Sequence, residues 1–318
     1  MSDSLKIQSL AGTLGVAEIG AIVSTFLFGI ETLQAYYYFT RYPQDSVFLK
    51  SMVAAVWFIE LGHTTSISHA IYMVTVTFYG QPQHLETPPY SIETTIFFAA
   101  LIYGVVQSFF ANRVRLFSGR WMIPLICWIM TALRVIANLA MMGIQWVNPD
   151  ITTIQVKFRW LMGIALSLGV TVDITTTFSM CYWLWKARPT GFEHTKRMID
   201  TLLVWTVETG VATTVTSILF LVTFLSLDNL VWFPFFLIQV KLYSNSLFVS
   251  LNGRQRLRLS GQLLNISIGA ATIPIPEGNR VGLPYSAMFV LPLTGPKDLV
   301  FEMSKGVETD FEHGRLTD

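Results

Sequence analysis

The stretch "FLIQVKLYSNSLFVSLNGR", residues 236–254, sets one lysine, Lys241, inside an apolar run that also holds Asn245 and Asn252. Such a charge needs a reason, because at the centre of a membrane helix it costs about 2.5–3.5 kcal/mol on insertion scales. The run is one of seven. A helix needs roughly 20 apolar residues to cross a bilayer, and stretches at 12–39, 50–79, 93–117, 121–147, 160–185, 199–226 and 230–251 qualify. Breaks rich in proline, glycine or charge separate them: "RYPQD", "GQPQHLETPPYS", "SGR", "VNPD", "KARPTGFEHTKR" and "SLDN". Composition agrees. Of 318 residues, 52% are hydrophobic and 13% charged, against about 25% charged in soluble domains. Mean hydropathy is +0.52. The expected fold is all-α, a seven-transmembrane-helix bundle.

Lysine and arginine counts in the short loops orient it. Arg41, Lys50, Arg113, Arg115, Arg120, Lys186, Arg188, Lys196, Arg197, Arg254, Arg256 and Arg258 fall on one side, and Lys6, Lys157 and Arg159 on the other. This predicts the N-terminus outside and the C-terminus in the cytosol. The first run lacks a basic n-region and a cleavage site, so it reads as a retained span. The expected division is a short outer N-terminus at 1–11, a membrane domain at 12–252 and a cytosolic tail at 253–318. The tail opens on "RQRLR", which suits anionic headgroups, and then turns rich in Gly, Pro and Ser. It reads as mostly disordered. A cytosolic protein partner of this tail is conceivable, and nothing in the sequence supports one. The lipid bilayer is the expected environment, in the plasma membrane or another secretory-pathway membrane. The net charge of +1 gives no sign of nucleic-acid binding.

Ionisable groups within spans are costly and mark functional or packing sites. Counted from the cytosolic ends, Glu31, Glu60, Glu208, Lys241, Arg134 and Asp173 lie within roughly 12–20 Å of that face at 1.5 Å per residue. His63 sits one turn beyond Glu60. Polar stripes at helical spacing accompany them: Lys241, Asn245 and Asn252; Arg134, Asn138 and Gln145; Glu60, Thr64 and Ser68. These stripes should face the interior. Glu31, Glu60, His63, Arg134, Asn138, Asp173, Glu208, Lys241 and Asn245 are the candidate ligand- or ion-binding residues. A purely structural network of neutralised charges explains the same pattern. Lys241 is expected to pair with Glu208, since helices 6 and 7 are joined by a short loop, or with Glu60 as second choice.

An internal duplication is a further possibility. "WFIELGHTTSIS" (57–68) aligns without gaps to "WTVETGVATTVT" (205–216), sharing Trp57/Trp205, Glu60/Glu208, Gly62/Gly210 and Thr65/Thr213. Residues 103–112 echo 243–252. Helix 2 matched to 6, and 3 to 7, is the pattern of a three-plus-one-plus-three parallel repeat, as in sugar transporters of the SWEET class.

Catalytic signatures are weak. "ELGH" is a single ExxH pair, whereas a bundle-type dinuclear centre needs two. His63 and His69 are the histidines within spans, too few for a three-histidine zinc site. There is no GxSxG elbow or phosphate loop. Cys127 and Cys181 form no CxxC pair. No enzyme activity, metal or cofactor is expected.

"FGIETLQAYYYF" (28–39), "YGVVQSFFANRVRL" (103–116), "RMIDTLLVWTVETG" (197–210) and "KLYSNSLFVSLNGR" (241–254) carry a resemblance. The chain resembles a family of seven-span membrane proteins expanded in mushroom-forming (basidiomycete) fungi and catalogued as a domain of unknown function. The resemblance covers most of the membrane region and not the tail. It implies membrane location and a seven-span core, and lends no activity. Three readings stay open. One is a receptor or sensor, whose topology matches G-protein-coupled receptors although an acid before Arg113 and an NPxxY motif are missing. The second is a small-solute or proton-coupled transporter. The third is a retinal protein using Lys241, against which helix 3 offers Glu93 alone, at its outer end.

Overall fold

The computed structural model describes residues 14–79, 81, 89–148, 157–188, 193–227 and 229–271, with backbone alone at 193–198 and 254–271. The expected segment 1–11 and residues 272–318 of the expected tail lie outside these. Seven long helices are present among the described residues: α1 (Val16–Arg41), α2 (Val47–Tyr72), α3 (Ser91–Ser118), α4 (Met122–Val147), α5 (Arg159–Lys186), α6 (Glu193–Ser226) and α7 (Trp232–Ala271). Local signals place their ends. The Ser46 side chain accepts the Leu49 N–H and opens α2, as N-caps do. Gly119, at φ +64°, ends α3 in the left-handed conformation and donates its N–H to Arg115, the usual glycine stop. The last turns of α2 widen into a π-helix, Met73–Thr77.

Sequence neighbours pack side by side from α1 to α7, and α7 returns to pack along α1, closing the ring. α3 also touches α5 and α7, so α3 and α7 run through the middle of the bundle. The outside is apolar. Ile19, Ile22 and Phe26 on α1, Leu125, Ile129 and Ile136 on α4, and Val211, Val215 and Val222 on α6 are all exposed. The inside holds the polar groups, among them Glu31, Glu60, His63, Arg134, Asp173 and Lys241. Apolar cover of this extent around a polar interior is the surface of a protein in lipid. Thr and Ser hydroxyls along the helices, such as Thr25, Thr171 and Thr223, donate to the carbonyl four residues back. That satisfies them where no water is at hand. The chain is an integral membrane protein.

Six helices, α1 to α6, are long and apolar enough to cross a membrane, and α7 is not among them. The reason lies in its position. Between residues 233 and 253, α7 is buried on nearly every side, so it needs no lipid-facing apolar stripe and can carry Gln239, Lys241, Ser244, Asn245 and Ser246. A helix buried all round is released from amphipathic patterning. α7 also runs past the end expected at residue 251 to Ala271, so the "RQRLR" segment is helical. Gly253 does not stop it. A Cβ there would come within 2.3 Å of the Trp205 ring, so this glycine is a packing contact with α6.

Among the described glycines, the one whose added Cβ would meet backbone lies at the contact closing the ring. A Cβ on Gly20 of α1 would lie 2.8 Å from Cα of Pro234 on α7. Backbone cannot rotate aside, and overpacking costs about 1–3 kcal/mol. Gly20→Ala should lower the melting temperature in detergent, and Gly20→Leu should abolish folded yield. The same changes at Gly29, which has open space around its Cβ position, should be tolerated.

Candidate functional site

The polar layer divides into two networks, one on each side of α7. Residues 241 and 243 are separated by about 200° around a helix at 3.6 residues per turn, so Lys241 and Tyr243 point opposite ways.

The first network joins α7 to α2 and α1. Lys241 Nζ makes a salt bridge to Glu60 Oε2, with both side chains fully buried. It also donates to Thr64 Oγ1 at 2.7 Å, and it lies 5.0 Å from the Phe28 ring centre. Ser244 donates to the other Glu60 oxygen. Asn245 donates to the Lys241 carbonyl at 2.8 Å and accepts from Gln34 at 3.2 Å. Asn252 donates to the Gln34 carbonyl at 2.8 Å. The expected first-choice pairing with Glu208 is therefore corrected: Glu60 is the partner, and Glu208 is exposed on α6. In the expected repeat, the α3 residue matching Lys241 is Leu101, so the duplication supplies no cation to match Glu208. Ser68 is exposed as well and leaves the Glu60–Thr64 stripe. Glu31 and His63 are fully buried beside this network. Neither Glu31 oxygen and neither His63 nitrogen meets a hydrogen-bond partner among the described residues.

The second network ties five helices together around Asp173 of α5. One carboxylate oxygen accepts from Gln107 of α3 at 3.1 Å. The other accepts from the Tyr243 hydroxyl of α7 and from Ser217 of α6 at 2.8 Å. Gln239 donates to Ser217 at 2.5 Å and accepts from Tyr103 at 3.3 Å. Arg134 of α4 donates to the Tyr243 hydroxyl at 3.1 Å. Its guanidinium carbon lies 3.7 Å from the centre of the Tyr103 ring, a cation–π contact that is strong when desolvated. Behind it stands Gly169, where a Cβ would fall 2.6 Å from that carbon. The charged members, Arg134 and Asp173, were legible in the sequence. Gln107, Ser217, Gln239 and Tyr243 were not singled out, because none falls on the helical stripe of Lys241, Arg134 or Glu60.

Above Arg134 lies a cavity of about 140 Å³. It is lined by the first turns of α1, α3, α5 and α7 and the last turns of α2, α4 and α6, so it occupies one end of the bundle. Its walls are apolar, with Phe220, Phe224, Trp232, Phe233 and Phe236 prominent. Its polar groups are Tyr103, Arg134, Asn138 and Gln145, the last three being the expected α4 stripe. Lys241, Glu60 and Glu31 do not line it. No group of three or more His, Cys, Asp or Glu side chains among the described residues has metal-site geometry.

At the opposite end, basic side chains sit over aromatic rings: Arg41 on Tyr37, Arg115 on Trp121, and Lys186 on Trp183 at 5.6, 4.5 and 5.3 Å. These three belong to the twelve basic residues expected on the cytosolic side.

Fold and site together define a multi-pass helical membrane protein with buried polar networks. Residues 169–256 match the sequence model of a family of unknown function (DUF6534). The matched segment spans most of α5, all of α6 and α7 through Arg256, and so includes Asp173, Ser217, Lys241 and Tyr243. No curated protein and no solved structure matches the chain.

Proposed function

We propose that the chain is a seven-span receptor or sensor that binds a small molecule in the end cavity and carries no catalytic step. In this reading α7 is the seventh span, the cavity opens outward, and the end with these basic residues faces the cytosol. The observation that carries it is the floor of the cavity. Arg134 lines the cavity and donates to Tyr243, whose hydroxyl reaches Asp173 and through it α3 and α6. A molecule seated on Arg134 therefore bears on five helices at once, as a sensor requires. The test is a thermal-shift screen of metabolites on the full-length protein in nanodiscs. A ligand at a hundred times its Kd adds about 2.7 kcal/mol. At least one hit should lose its effect in Ala165→Phe, which fills the cavity. Hits that all ignore this substitution would count against the reading.

A second reading, a solute or proton-coupled transporter, is favoured by the repeat. Tyr103 and Tyr243, matched in the duplication, meet edge to face at 5.3 Å between α3 and α7. The packing of α7 on α1 has its counterpart in α3 on α5. Glu31 and His63, without hydrogen-bond partners beside Lys241, supply candidate proton carriers. Uptake of a hit compound into proteoliposomes along a proton gradient would decide for this reading, and binding without uptake for the receptor.

A further inference from the structure

Resting on that ligand-binding reading, we propose that the end cavity takes a small apolar carboxylate, its body among Ile96, Phe220 and Phe236 and its carboxylate on Arg134.

The size comes first. A cavity of about 140 Å³ is close to the ~150 Å³ apolar cavity that holds benzene. The enclosed part of the ligand is thus about one ring or a short aliphatic chain. The walls come second. Aromatic rings from α6 and α7 and aliphatic side chains from α3 and α5 offer no partner to a sugar or a zwitterion. The head group is decided by Arg134. Its side chain is 1% exposed and faces the cavity. A guanidinium has five N–H donors. The hydrogen bond found for this one is to Tyr243, and its Nε has no partner.

Electrostatics favour an anion at this point. The hydrogen-bonded path from Arg134 to Asp173 runs through the Tyr243 hydroxyl, and Asp173 already accepts from Gln107, Tyr243 and Ser217. No acid lines the cavity. An arriving carboxylate would meet one buried cation with donors to spare, the pairing for which arginine geometry is suited. Asn138 and Gln145, which also line the cavity, add amide donors. An amine would face Arg134 across an apolar space with no counter-charge.

Isotope-labelled benzoate is the probe, with the full-length protein in phosphatidylcholine nanodiscs and benzyl alcohol and benzylamine as competitors. Wild type should bind benzoate saturably. Benzyl alcohol should compete at least tenfold more weakly than unlabelled benzoate, and benzylamine not at all. Arg134→Gln should weaken binding at least tenfold. Ala165→Phe and Ile96→Phe, which leave both networks intact, should abolish it, and these two decide if Arg134→Gln fails to fold. Absence of saturable benzoate binding, competition by benzylamine as strong as by benzoate, or binding that survives the filling variants overturns the assignment. If labelled benzyl alcohol binds in an Ala165-sensitive manner and benzoate does not, the anionic class is wrong while the ligand cavity stands. If neither binds there, the receptor reading loses its support too.

Discussion

Lys241→Met alone should cost about 3–5 kcal/mol of stability, the usual penalty for stranding one member of a buried ion pair. The stranded group is Glu60, fully buried, with Ser244 as its remaining side-chain donor. Glu60→Gln alone should cost a similar amount, because Lys241 would keep Thr64 and lose its counter-charge. The double variant should regain much of the loss, since no buried charge is left without its counter-charge. Melting of the four proteins in one detergent forms a double-mutant cycle. A coupling energy of about 2 kcal/mol or more is expected. A parallel cycle with Glu208→Gln should be additive, since Glu208 is exposed on another helix. Additivity in the Glu60 cycle would mean that the bridge contributes nothing to the fold.

Asp173→Ala should be the most damaging single change in the second network. Three donors from three helices converge on this carboxylate. Ser217 and Gln107 keep a second acceptor in the Thr213 carbonyl and the Tyr243 hydroxyl, whereas the Tyr243 hydroxyl loses its acceptor, and a buried donor left without a partner costs about 1–3 kcal/mol. Arg134 would lose the acid it reaches through Tyr243. The expected result is no monodisperse protein after detergent extraction. Asp173→Asn keeps the shape and one accepting oxygen, so it should fold with a lower melting temperature. Tyr243→Phe removes the relay to Arg134 and leaves Gln107 and Ser217 on the carboxylate, so its loss should be smaller than that of Asp173→Ala. Yields and melting points in the order wild type, Tyr243→Phe or Asp173→Asn, then Asp173→Ala would bear this out. Equal behaviour of all four would show that the network is dispensable.

Helix positions were legible because proline, glycine and charge punctuate the chain at each loop. Expected and observed ends agree within a few residues for α1, α3, α4 and α5. The common level of Lys241 and Glu60 was legible too, since it needs only the rise per residue. Azimuth was not. Glu60 and Glu208 sit at similar depths, and the choice between them depends on which faces of α2 and α6 turn toward α7. The structure turns Glu60 toward α7 and leaves Glu208 exposed, which composition does not reveal. The Asp173 network escaped for a different reason. Its members other than Asp173 and Arg134 are Tyr, Gln and Ser, which are unremarkable one at a time. A usable signal was the density of polar residues on both faces of α7, where Gln239 and Tyr243 flank Lys241. The end of α7 was misplaced because the apolar run stops at residue 251 and "RQRLR" follows, whereas the helix continues through that change of composition to Ala271, with Gly253 as the space into which Trp205 packs.

The central claim is that α7 crosses the membrane as a helix shielded by the other six, although its composition alone does not qualify it. Site-directed labelling tests this directly. In a Cys127→Ala/Cys181→Ala background, Asn229→Cys precedes α7 and Ser260→Cys lies in its extension. A membrane-impermeant maleimide on sealed right-side-out vesicles should label Asn229→Cys at once and Ser260→Cys only after permeabilisation. Labelling of both positions from the same side would place α7 outside the bilayer and contradict the account.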